Sequence, residues 1–156
     1  MHKLDLQDTL DRLGKHPLVE THKGASVADI KHALGLLRVR LPKNYQLFLR
    51  EVGWADLNGD VIFGLGPDAK KAQDLEERNI DAHVNLMVRS TCVVIHEDGM
   101  GGFNCLDVTR IKGNDCPVVY WDTNREDAEF HKPPLVAKSF VNYLRRLLKE
   151  APTVET

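Results

Sequence analysis

His96, Asp98 and Asp107 come nearest, in type and spacing, to a site for metal or acid–base chemistry. They fall on what reads as one β-hairpin, where an imidazole and two carboxylates could converge on a divalent cation. Hairpins also turn polar side chains toward solvent, and that is the reading adopted here, with no metal expected. The seven histidines, at 2, 16, 22, 32, 83, 96 and 131, form no HExxH and no paired Cys/His spacing. Cys92, Cys105 and Cys116 each sit in or beside an apolar strand without a local activating group, so they read as core thiols. There is no GxSxG. Gly64-Leu65-Gly66-Pro67 and Gly99-Met100-Gly101-Gly102 lack both the P-loop lysine and the GxGxxG pattern, and read as turns. The chain is therefore expected to be no enzyme, with no cofactor. A small metal-dependent enzyme built on the histidine–aspartate triplet stands last among its possible functions.

Charge is the more informative property. The formal net charge is −2, but residues 51–130 carry −9 while the flanking stretches 1–50 and 131–156 carry +4 and +3. Overall the chain lacks the basic balance of a nucleic-acid binder. Its acids gather in loops: Asp56 and Asp60 around a glycine, Glu97 and Asp98 in a turn, and Asp122, Glu126, Asp127 and Glu129 in a stretch relieved only by Arg125. Loops on a rigid scaffold carry binding, and clustered carboxylates steer a basic partner. These eight acids, with Trp54 as an exposed aromatic just past a helix stop, are the candidate partner-binding residues. The partner they suit is a protein with a basic face.

The elements that must position these groups follow from periodicity. Leu4, Leu6, Leu10 and Leu13 mark a first helix, ended by Gly14 and Pro17, and a linker follows. Ser26 is placed to cap a helix over 27–37 with Val27, Ile30, Leu34 and Leu37 as its stripe. Pro42 reads as the first residue of a third helix that stops at Gly53. Residues 61–65 read as a short strand, and Asp68 as the cap of a polar helix. Strands follow over 91–96, 103–108 and 117–121, then a polar loop over 122–134 and a last helix over 136–150. Helices, then a β-meander, then a helix make a single α+β domain, its antiparallel sheet wrapped by N-terminal helices and a C-terminal helix.

With 156 residues, 42% of them hydrophobic, the chain suits one domain with a substantial core. No apolar run approaches the ~20 residues of a membrane span, and the charged N-terminus lacks the apolar middle of a signal peptide. An odd number of cysteines without CxxC spacing suits a reducing compartment. A cytoplasmic protein is expected.

Two blocks carry a family resemblance. Gly24-Ala25-Ser26, Ile30 and Leu41-Pro42-x-x-Tyr45-x-x-Phe48-Leu49-x-x-x-Gly53 resemble the opening of the SUKH superfamily of Smi/Knr-like domains. Cys105-Leu106-Asp107, Cys116-Pro117-Val118-Val119-x-Trp121-Asp122 and the Ser139-Phe140 helix start resemble its YobK-type antitoxin branch. The resemblance spans about residues 24–148 and implies an α+β domain over 24–150, preceded by a helix and linker over 1–23 and followed by a flexible tail over 151–156. It implies an immunity protein that binds and blocks a cognate polymorphic toxin, often a nuclease, without catalysis. Some relatives act instead as interaction or regulatory modules. Many carry a glutamate where this chain has Leu34, so any partner contact by that acid is absent here.

Overall fold

The computed structural model describes residues 3–17, 19–127 and 131–150. The proposed tail over 151–156 and the acid at Glu129 lie outside them. Among these residues five α-helices and two antiparallel sheets form one α+β domain.

Helix α1 (Lys3–Lys15) leads into strand β1 (Val19–Thr21), a short extended piece within the stretch after the first helix, which by sequence reads as a linker or a short extended segment. Helix α2 (Val27–Leu37) starts as anticipated: Ser26 Oγ accepts the Asp29 amide at 3.1 Å. Its inward face differs from the expected stripe, because Ile30 and Ala33 are buried while Val27 is 53% exposed. Helix α3 (Lys43–Glu51) begins one residue later than predicted, with Pro42 in extended conformation as the N-cap. Gly53, at φ +80°, supplies the left-handed stop.

Strands β2 (Ala55–Leu57) and β3 (Asp60–Ile62) form a hairpin around Asn58-Gly59. The single strand predicted over 61–65 is thus the second arm of a pair, and β1 completes a three-stranded sheet in the order β1-β2-β3. Helix α4 (Leu75–Asn85) is capped by Asp74, whose carboxylate accepts the Glu77 amide at 2.9 Å, and not by Asp68. The second sheet, in the order β4-β5-β6-β7, is the expected meander: β4 (Cys92–Glu97), β5 (Gly102–Asp107), β6 (Val118–Asp122), with β7 (Leu135–Ala137) added from inside the stretch predicted as loop and helix. Helix α5 (Phe140–Glu150) consequently starts four residues later than predicted.

The larger core lies between the four-stranded sheet and helices α1, α3 and α5. Tyr45, Phe48 and Phe140 meet there at centroid distances of 5.1–5.8 Å, two of the three contacts edge to face. Leu6, Leu10 and Leu13 of α1 join this core, so residues before 24 are built into the same unit. The opposite face of the sheet packs Val94, Phe103, Cys105, Val119 and Trp121 against Ala82 of α4 and Phe63. Burial on both faces explains why β4 reads as a continuous apolar run.

Two buried polar side chains hold elements together. Asn79 of α4 treats β4 as a strand partner would, donating to the Val94 carbonyl at 3.0 Å and accepting the Val94 amide at 2.8 Å. That satisfies the backbone of an edge strand. Asp115, 8% exposed, accepts the amides of Cys116 and Phe140 at 2.7 Å and the Asn44 amide group at 3.0 Å. It thereby ties the starts of α3 and α5 to the turn before β6.

Candidate protein-binding surface

The hairpin tip between β4 and β5 and the loop leaving β6 meet at one end of the four-stranded sheet. Register sets this: Glu97 pairs with Phe103, which pairs with Trp121, and Gly102 pairs with Asp122. The Asp98 amide in turn donates to the Gly102 carbonyl at 3.0 Å. Asp98 and Asp122 therefore flank Gly102 on either side, about two strand spacings apart.

Side chains then stitch the two loops. Thr123 donates its amide at 2.9 Å and its hydroxyl at 2.6 Å to the Gly101 carbonyl, and Asn124 donates to the Met100 carbonyl at 2.8 Å. Tyr120 donates its hydroxyl to Asp98 Oδ2 at 2.6 Å. The other oxygen of Asp98 accepts the amides of Met100 at 2.8 Å and Gly102 at 3.0 Å. Partial desolvation works against the anion, but these three donors prevail and hold the Asp98 carboxyl below its ordinary value. The same hydrogen bond, with the adjoining negative charge, pushes the Tyr120 phenol up to about 12.

Asp60 joins this end through His96. His96 Nε2 lies 3.3 Å from Asp60 Oδ1, its Nδ1 lies 3.1 Å from the Asn104 amide nitrogen, and Asn104 also donates to the Tyr143 hydroxyl at 3.0 Å. The chain of bonds links the β2–β3 hairpin, the sheet and α5. Beyond Asp122 the loop carries exposed Glu126 and Asp127, the latter paired with Arg125.

The structure thus brings Asp60, Glu97, Asp98 and Asp122 to one edge, continued by Glu126 and Asp127. Asp56 lies in the same hairpin as Asp60, paired with Val61, and its carboxylate accepts the Gly59 amide at 2.7 Å. Trp54 is a correction. It is only 7% exposed, stacked on His22 at a centroid distance of 3.6 Å with the rings 7° from parallel, and so offers no exposed aromatic.

The triplet weighed for metal chemistry is dispersed among other partners. His96 and Asp98 are engaged as above, and Asp107 accepts from the Thr109 hydroxyl and amide and from Arg110. Among the described residues no group of three His, Cys, Asp or Glu is disposed to hold a metal ion. Burial pushes the Cys92 thiol up to about 11 and Cys116 to about 12, with Cys105 well above its ordinary range. Such thiols are poor nucleophiles.

Further side chains frame the edge. Met100 caps the hairpin tip at 78% exposure, its amide bonded to Asp98, and methionine is enriched at interfaces. Its signal was an apolar residue inside a glycine-rich turn. Beside it, Tyr120, Trp121, Arg125, His131, Pro133 and Pro134 line a hollow of about 120 Å³. That is far smaller than the ~300 Å³ of an ordinary small-molecule site and suits a single inserted side chain. Arg89 lies over the buried Trp121 ring at 5.2 Å and braces this wall.

This arrangement is a hydrogen-bonded acidic edge. A family model described as SMI1 / KNR4 family (SUKH-1) matches residues 24–146. The chain belongs to the SMI1/KNR4 family. Every described acid of the edge falls within the SUKH-1 match, whereas α1 precedes it and still fills part of the core. The match opens at Gly24, where a Cβ would stand 1.7 Å from the Arg50 carbonyl oxygen. Only glycine lets the chain cross the end of α3 so closely, and the next residue donates its amide to Leu49 at 2.8 Å. The residues carrying the SUKH resemblance, Leu41, Tyr45, Phe48 and Leu49, are all core. They fix the fold and leave partner choice to the loops. Family membership accords with an immunity-type, partner-binding role.

Proposed function

We propose that this SUKH-1 protein is an immunity protein of the YobK-type branch that binds and neutralises a cognate polymorphic toxin. The toxin presents a basic face, as a nuclease domain does to hold phosphates, and is blocked by being covered. The observation that carries this reading is the joining of Glu97, Asp98 and Asp122 at one braced edge by strand register, with Asp60 reached through His96. An anion fixed by three donors before its partner arrives needs little reorganisation on binding. Opposed charges speed encounter and set orientation, while Met100 and the hollow beside Trp121 supply apolar contact.

The protein acts as a cytoplasmic binding partner, without catalysis and without touching nucleic acid itself. No described helix is long and apolar enough to cross a membrane. The complex buries about 1,200 Å² or more in total, as specific stable interfaces do. Co-expression with the product of the adjacent gene tests the reading. Restored growth and co-purification of the two chains are expected; a toxic neighbour whose effect is undiminished, with no complex formed, contradicts it.

A further inference from the structure

The opposite charge gathers elsewhere on the molecule. Residues 30–50 hold five Lys or Arg and no Asp or Glu. Two contiguous hollows, of about 350 and 380 Å³, run along the start of α3 and share Lys43 and Gln46 as their common wall. Arg50 borders the first and Arg40 the second. Arg40, Lys43 and Arg50 are exposed and have no ion-pair partner among the described residues. Leu34, Val39, Leu47 and Ile111 are half-buried and give the hollows an apolar floor.

The groove is already shaped. Gln46 donates to the Leu41 carbonyl at 2.8 Å, which fixes the approach to α3. The Asn44 amide donates to the Asn114 carbonyl at 2.9 Å, which fixes the facing turn. Solvated cations around an apolar floor complement a chain that alternates acidic and apolar side chains.

We propose that this groove docks an acidic, apolar linear segment of a partner protein, through a surface separate from the acidic edge. The carboxylates meet Arg40, Lys43 and Arg50, and the apolar side chains enter the two hollows. The proposal extends the binding role and does not depend on the identity of a toxin, because it uses different residues of opposite charge.

Titration of ¹⁵N-labelled protein with a short synthetic peptide alternating glutamate and leucine tests it. A peptide alternating lysine and leucine and a short single-stranded DNA serve as comparisons. Saturable amide shifts confined to residues 38–50 and 111–114 are expected with the acidic peptide alone. The triple variant Arg40→Gln, Lys43→Gln, Arg50→Gln, at three exposed positions, should keep its urea midpoint and bind the peptide about tenfold more weakly. Charge-neutral variants of Glu126 and Asp127 should bind it as the wild type does. Absence of shifts in the groove, equal binding by the triple variant, or tighter binding of the DNA overturns the proposal.

Discussion

Tyr120 donates its hydroxyl to Asp98 at 2.6 Å directly over Gly102, where a Cβ would lie 1.7 Å from the phenol oxygen and 2.5 Å from Asp98 Oδ2. The glycine on the middle strand is what allows the outer two strands to be bridged. Gly102→Ala should therefore cost about 1–3 kcal/mol, as overpacking does. Tyr120→Phe should cost about 1 kcal/mol for the lost hydrogen bond. Combined, the two should cost less than their sum, since removing the hydroxyl takes away the shortest of the clashes and, with the hydrogen bond gone, leaves the ring and the Asp98 carboxylate free to move off the methyl. Urea unfolding of the two single variants and the double checks this, and strict additivity would count against the bridge.

The bridge also has a pH signature. The Tyr120 phenol titrates at about 12 against an ordinary 10, because its neutral form donates to an anion. Its contribution to stability is whole below pH 10 and is lost as pH rises through about 12. Asp98 is shifted the other way, downward, so its contribution is lost as pH falls below the ordinary carboxylate range through its lowered value. Asp98→Asn should return the Tyr120 phenol toward 10. Phenolate absorbance across an alkaline titration reads this directly, and an unmoved titration would refute the coupling.

Asp115 predicts the largest single loss of stability. Replacement by Ala leaves the buried amides of Cys116, Phe140 and Val141 without their carboxylate acceptor. A cost of about 3 kcal/mol or more is expected, since each orphaned donor carries a desolvation penalty. Calorimetric unfolding should show the fall in Tm. Ser139 accepts the Asn142 amide, the next donor of α5, at 3.1 Å in a part-buried cap bond and should matter less when replaced.

Where local chemistry decides structure, the sequence was readable. Ser26, Gly53 and the apolar runs of β4 and β6 delivered their elements nearly to the residue. The failures have physical causes. The inward face of α4 is Leu75, Asn79 and Ala82, and Asn79 is buried only because Val94 satisfies both its amide atoms. That face carries little hydrophobic period to mark where the helix begins, and the cap is Asp74 where the sequence suggests Asp68. Strand β7 has three residues and one partner strand, directly after two prolines. Only the tertiary edge of β6 recruits it. Trp54 follows a helix stop, where exposure is common, but the ring of His22 covers it. The acids were visible as a composition bias. Their convergence was not, because it depends on the pairing of Gly102 with Asp122 and on His96 reaching Asp60.

The central claim is that the acidic edge guides a basic partner, and its most direct test is the ionic-strength dependence of association. The partner is the chain that co-purifies on co-expression. Asp122, Glu126 and Asp127 are each changed to Lys, and association is followed by stopped flow from low to high salt. The account predicts that the variant associates about tenfold or more slowly at low salt and loses the wild type's steep salt dependence. An unchanged rate with an unchanged salt slope, and full protection by the variant, would contradict it.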